Sequence, residues 1–285
     1  MVIPPRAFVG GPSKNRMSVI QGALASALVL LWVLPLALAF WGSIRQPEIS
    51  LAHPGLLWPS ALSLSAYHRL LSSGYWLWLV QSAKAAITST GVALLVSIPI
   101  GYAAVFRGGK MAGITLRILL LTYLIPSVFL VFPVLQFATA SGMRGSPALV
   151  GVLAGAFSAP LCSWILRSQF ALIPRQLFEM AELDGLGVWA RLLHVVVPAA
   201  GQGVIAASCL AFIIGWGEYT YSVTLLPIAS EFTVSVGIPH FLEGDVWSWD
   251  LLLPAICLAG IPPVGMGLLL TTLLYRQRRT WAGEE

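Results

Sequence analysis

The chain has 285 residues, of which 58% are hydrophobic and only 9% charged, with a formal net charge of +5 and a mean hydropathy of +0.85. A soluble domain carries about 25% charged residues, so this chain has too little polar surface for a water-facing fold, and the bilayer is its expected solvent. The basic residues lie between apolar blocks rather than in a cluster, which argues against a nucleic-acid surface. Cys162, Cys209 and Cys257 all fall inside apolar blocks, which argues against a disulfide framework and a metal site.

A spanning helix needs about 20 mostly apolar residues. In chain order, the stretches 18–41, 77–106, 114–137, 148–170, 203–225 and 251–275 qualify. The expected fold is therefore all-α, with six membrane helices over 18–275 between short tails at 1–17 and 276–285. The first stretch is too long for a signal peptide and reads as an uncleaved span. Pro35, Pro99, Pro126, Pro133, Pro160, Pro254, Pro262 and Pro263 fall within the spans. Each removes a backbone donor, so kinks are expected there.

Lys and Arg positions set the orientation. Arg6, Lys14 and Arg16 precede the first span, and Arg107 and Lys110 follow the second. Arg167, Arg175 and Arg191 flank the connection after the fourth, and Arg276, Arg278 and Arg279 follow the sixth. The alternate connections hold only Arg45, Arg69 and Arg144. The last of them, 227–250, holds Glu231, Glu243, Asp245 and Asp250 but no Lys or Arg. Both termini and the connection after the fourth span are expected in the cytoplasm.

That connection, "RQLFEMAELDGLGVWARLLHVVVP" at 175–198, is far longer than the roughly 2–8 residues a simple helix–helix link takes. Pro174 suits the first turn of a helix, and Glu179 and Glu182 lie near its positive end. Phe178, Ala181 and Leu183 interleave with the acids, so a short amphipathic helix is expected. Gly185 and Gly187 permit a turn, after which Val188, Trp189, Leu192, Leu193 and Val196 resume an apolar rhythm into the fifth span. The pattern predicts a rigid helical knob offered to a partner. A helix lying on the headgroups is the alternative.

"EMAELDG" followed by "HVVVP", with Pro198 nineteen positions after Glu179, resembles the EAA motif of permease subunits of ATP-binding-cassette importers. The Asp184–Gly185 pair is similar to the carbohydrate-uptake branch, the relatives of maltose permeases. Supporting stretches occur in the same order: "LSAYHRLL" at 64–71, with Ala66 in place of an Asn; 80–107, with Gln81 where Asn is usual; "WILRSQFALIPRQL" at 164–177; and "AFIIGWGEY" at 211–219, with Gly217 in place of an Asn. Met180 stands where Ala is usual.

The resemblance implies the type I importer permease fold in a bacterial or archaeal cytoplasmic membrane. The knob would be the coupling helix, with Glu179, Met180, Ala181, Asp184, Gly185 and Leu186 at the interface with an ATPase. The implied partners are two copies of a cytoplasmic ATPase, a second homologous permease and an external binding protein that delivers a sugar. ATP and Mg would be bound by the ATPase, with no cofactor in this chain. A non-sugar cargo, such as a polyamine or glycerol phosphate, is the runner-up. An unrelated membrane enzyme or channel is the rival from another class.

Outside the knob, Glu218 is an acid expected inside an apolar helix, which by default marks function. It lies twenty residues past Pro198, about 30 Å along a helix, and so near the external end. Trp216, Gly217, Glu218, Tyr219 and Gln81 form the candidate translocation pathway, with Gly217 expected to let helices approach closely. Trp216 as an interfacial anchor and Glu218 as a solvated acid at the rim are the plainer readings. Lys84 is read as snorkelling from the outer start of the second span, and Trp247 and Trp249 as interfacial. Enzyme signatures are missing: "GGKMAG" at 108–113 lacks the phosphate-loop spacing, and there is no H-E-x-x-H or G-x-S-x-G. His53, His68, His194 and His240 are scattered. ATP hydrolysis is therefore expected on a separate subunit.

Overall fold

A computed structural model describes residues 13–45, 62–107, 110–242 and 249–281. Among these the chain is helical, with one isolated antiparallel bridge between Arg45 and Leu62. Arg6, Glu243, Asp245 and Trp247 lie outside the described residues.

Helix α1 spans Ser13–Ser43 and the short α2 spans Ser65–Ser72. The long α3, Tyr75–Tyr102, ends in a wider π turn, Ala103–Arg107. Next come α4, Lys110–Thr122, and α5, Val131–Ala140, joined through a 3-10 turn at Ser127–Leu130. Helix α6, Pro147–Phe170, is followed by α7, Arg175–Leu183, and α8, Val188–Arg191, with a π turn at Leu192–Val196. The remainder is α9, Val197–Ala199; α10, Gly201–Trp216; α11, Thr220–Leu225; α12, Val234–His240; and α13, Trp249–Trp281.

Among the described residues four helices are long and apolar enough to cross a membrane, and the number is six if each of two bent pairs counts as one span. The expected third span, 114–137, is one of these pairs. It turns through 84° between Thr122 and Ser127, where Pro126 has extended backbone (ψ 131°) and no N–H for a helical bond. The expected fifth span, 203–225, also differs. Its helix stops at Trp216, the chain is non-helical from Gly217 to Tyr219, and α11 is a separate short helix. The segment leading into it lies at 86° to α10 rather than in line with it, so the run from Pro198 to Glu218 is bent rather than straight. The prolines inside α1, α3, α6 and α13, by contrast, leave those helices continuous.

The centre of the bundle is α3 packed on α6 and α10. Lipid tails are as apolar as leucine, so helices in a bilayer associate through close packing of small residues. A Cβ on Gly151 would collide with the Ala85 carbonyl, one on Gly155 would lie 2.5 Å from the Ser89 carbonyl oxygen, and one on Gly215 would lie 2.5 Å from the Ser89 Cβ. Gly151 and Gly155, four apart on α6, thus form a small-residue face for α3. Ser89 adds a hydrogen bond from its hydroxyl to the Ala211 carbonyl at 2.9 Å. Buried Cys162, Leu166, Phe170, Leu192 and Val196 continue the core toward the knob. Helix α1 is mostly exposed along its described side chains, with Trp32 at 79%.

The packing sorts the described charges by side. The Arg107 end of α3, the Arg167 end of α6 and the 175–198 connection lie together: a Cβ on Gly101 would sit 3.2 Å from the Arg167 nitrogen, and Phe106 stacks on Phe178. At the opposite end Arg69 pairs with Asp250 at 2.7 Å, and the Glu231 carboxylate lies against Gly145.

Candidate functional site

The 175–198 connection folds as a helix, a sharp turn and a second helix. Pro174 sits just before α7, its carbonyl accepting from the Leu177 N–H at 3.1 Å. Gly185 has φ +77°, the left-handed conformation that residues with a Cβ resist. Around it the Gly185 N–H bonds the Glu182 carbonyl at 3.0 Å and the Leu186 N–H bonds the Ala181 carbonyl at 3.2 Å. This paired closure of a helix C-terminus is the Schellman motif, and it satisfies the last carbonyls of α7. Gly187 has an ordinary φ of −64°, so only Gly185 is required by the backbone.

Two side chains fasten α7 from within. Ala181 is buried, and Phe178 stacks on Phe106 at 4.6 Å between ring centroids. Leu183, expected to share that inner face, points outward instead and is 87% exposed. Met180 is 62% exposed, and Leu177, Leu186, Glu179 and Asp184 are also exposed. Glu179 makes a loose pair with Arg175 at 3.6 Å, both in solvent; such pairs are worth little. The knob therefore shows Leu177, Met180, Leu183 and Leu186 to the outside, with Glu179 and Asp184 among them. Of the six candidate interface residues, Ala181 alone is inside. Two grooves flank the knob. One, of about 340 Å³, runs beside Tyr102, Arg107, Thr115 and Trp189; the other, of about 440 Å³, beside Gln169, Leu172, Pro174 and Gln202.

The second group of candidates does not form one wall. Trp216 is buried, its indole N–H donating to the Ala259 carbonyl of α13 at 3.1 Å and its ring stacked on Phe212. It is a packing residue between α10 and α13, neither an open wall nor an interfacial anchor. Gly217 brings no helix close, because a Cβ there would meet only its own Ile213 carbonyl at 3.4 Å. Gly215 has that role. Glu218 is in the break rather than inside a helix. Its Oε1 accepts from the Tyr221 N–H at 3.0 Å, which caps α11, and its carbonyl accepts from the hydroxyls of Ser222 at 2.6 Å and Ser235 at 2.8 Å. The Gln81 amide donates to the Ser230 carbonyl at 3.3 Å, and the Lys84 ammonium donates to the Gln81 oxygen at 3.1 Å. Lys84 is thus hydrogen-bonded as well as exposed. Gln81, Glu218 and exposed Tyr219 belong to a polar rim where α3, the α10–α11 break and the start of α12 meet.

Sequence reasoning missed Arg191, whose side chain is 11% exposed and pairs with Glu182 at 2.9 Å. Its other contact, the Phe178 ring, stacks on a residue some seventy positions earlier, so no local pattern announced the cluster.

The sequence model for the family described as "Binding-protein-dependent transport system inner membrane component" matches residues 93–276. Over 243 residues the chain is 27% identical to the sulfoquinovosyl glycerol transport system permease protein SmoH of Agrobacterium fabrum, covering 85% of each chain. It is 26% identical over 207 residues to the sn-glycerol-3-phosphate transport system permease protein UgpE of Yersinia enterocolitica, covering 72% of this chain and 73% of that one. The fold is similar to a chain in a crystal structure of a bacterial ABC transporter involved in the import of the acidic polysaccharide alginate. There the TM-score is 0.76 at 17% identity, over 93% of this chain and 99% of the other.

Proposed function

The chain belongs to the binding-protein-dependent transport system inner membrane component family and is a permease subunit of an ATP-binding-cassette importer, and from that premise we propose how it engages its partners and what it carries. The family implies an ATPase, a partner permease and a binding protein in general. In this reading the α7–Gly185–α8 knob docks in a groove of a cytoplasmic ATPase, one of two copies, which binds the ATP and Mg. A second, distinct permease completes the pathway, and both termini face the cytoplasm. The observation that carries the docking is the outer face of α7. An isolated soluble knob does not keep Leu177, Met180 and Leu183 in water on a helix otherwise fastened from within, and an apolar helix face in a partner's groove is a common recognition mode.

The cargo in this reading is a small carbohydrate or carbohydrate derivative that passes the rim of Gln81, Glu218 and Tyr219. A glycerol-containing cargo is the second reading, favoured by the names of two relatives. The test is ATP hydrolysis by the purified complex with its binding protein, run across neutral sugars, glycosyl glycerols and glycerol phosphates. One class is expected to stimulate turnover. Stimulation by none of them overturns the cargo reading. A single cysteine at Met180 that fails to cross-link to the ATPase overturns the docking.

A further inference from the structure

The knob is tied to a helix that does not adjoin it in sequence. Arg191, on α8, turns its side chain back under α7. Its Nη1 lies 2.9 Å from Glu182 Oε1, and its guanidinium carbon lies 4.8 Å from the centre of the Phe178 ring. Its Nε and Nη1 are buried and neither makes a hydrogen bond, so charge and ring face hold it in place. The Phe178 ring in turn lies flat on Phe106, 4.6 Å away at 16°. Tyr102 closes the stack, 5.4 Å from Phe106 and 6.1 Å from Phe178. Tyr102 is the last residue of α3 and Phe106 lies in its π turn.

A buried arginine with an unpaired donor is an expensive way to fill space, since a leucine or methionine would pack there without the desolvation cost. What the cation adds is electrostatic attachment between separate elements. It joins α8 to α7 through Glu182, and through Phe178 to the end of α3, in a partly water-excluded site where a cation over a ring is stronger than at the surface. Helix α3 has 28 residues and is therefore about 42 Å long. Its far end carries Gln81 and Ser82, which bond Ser230 and the Val234 N–H. One rigid helix thus runs from the knob to the polar rim.

We propose that Arg191 and the Phe178–Phe106 stack form a relay that passes displacement of the knob into α3, and so to the outer rim, in addition to the covalent route through α6 and α10. Arg191 is a positioning residue here. The inference rests on the knob being the ATPase dock, and the test separates the two.

In the complete transporter, Arg191→Leu is expected to keep the ATPase bound and basal ATP hydrolysis within about twofold, while uptake per ATP falls about tenfold. Arg191→Lys, which keeps a cation over the ring, is expected to restore most of it. Phe106→Leu reads the same relay from the α3 side, should Arg191→Leu fail to assemble. In a background with the native cysteines replaced, Phe106→Cys and Phe178→Cys are then joined by a short bifunctional thiol reagent in the Arg191→Leu chain. Recovered uptake supports a mechanical relay. Uptake per ATP unchanged in both Arg191→Leu and Phe106→Leu, with the ATPase still bound, overturns it, as does a bridged chain that stays uncoupled. A Met180→Cys chain that does not cross-link to the ATPase in otherwise wild-type protein overturns the docking premise instead.

Discussion

Gly185 offers a test in which backbone strain is isolated from packing. Its φ is +77°, and a Cβ built there meets no atom within 4 Å, so the Cβ itself collides with nothing and the cost of adding it is conformational. For an L-residue the left-handed conformation costs roughly 1–2 kcal/mol, with Asn the least penalised and β-branched residues the most. That corresponds to a factor of about 5–30 in the ratio of the correct turn to its alternatives. If docking requires the turn, apparent affinity for the ATPase falls with the turn's population, at most by that factor. The expected order is therefore Gly, Asn, Ala, Val, with Gly185→Asn close to wild type and Gly185→Val weakest. The assay is the amount of ATPase retained on the purified permease, with uptake measured in parallel and membrane insertion checked by immunoblot. Equal retention by Asn and Val variants would refute the backbone argument. Loss of the Val variant from the membrane would show that the turn serves folding rather than docking.

Single cysteines in a cysteine-free background test the orientation: Arg144→Cys is expected to label from outside sealed cells and Gly187→Cys is not. Gly155→Leu has nowhere to go against the Ser89 carbonyl and Val92, and overpacking costs about 1–3 kcal/mol, so lowered thermal stability and poor complex yield are expected. Gly91→Leu, with nothing within 4 Å, is expected to be tolerated. Trp216→Phe loses the bond to Ala259, about 0.5–1.5 kcal/mol, together with part of the ring packed beside Phe212, and is expected to lower the melting temperature while leaving uptake intact. Glu218→Gln keeps an oxygen to cap Tyr221 but removes the charge, so reduced uptake with normal assembly is expected; unchanged uptake would place the pathway elsewhere.

Much of the architecture was legible because the bilayer constrains it directly. The length of α3, α6 and α13 and the sidedness of Arg107, Arg167 and Arg175 follow from hydrocarbon thickness and charge. The knob was legible for a local reason: Gly185 follows an amphipathic helix by two residues, which is the spacing a C-terminal closure needs. The inward or outward placement of its leucines was not. Leu183 shares the acids' rhythm with Phe178 and Ala181, but only the position of α3 decides which side is inside.

The two broken spans show where this kind of reading stops. A hydropathy window averages over the residues it covers, so 114–137 and 203–225 score as continuous whether or not the backbone bends. Eight prolines lay within the expected spans, yet among them only Pro126 coincides with a described break. A helix keeps running through a proline when neighbouring groups satisfy the freed carbonyl and breaks when they do not, and those neighbours come from elsewhere in the chain. Trp216 and Glu218 make the same point at the scale of single side chains. In sequence they read as an aromatic and an acid two apart on one helix. In space the helix ends between them: the indole turns inward to Ala259, and the carboxylate turns back to cap the next helix. Solvent-imposed features repeat along the sequence and can be counted there; neighbour-imposed ones depend on which helix arrives opposite. The candidate pathway residues belonged to the second kind, and for that reason Trp216 moved into the core while Gln81, Glu218 and Tyr219 stayed at the rim.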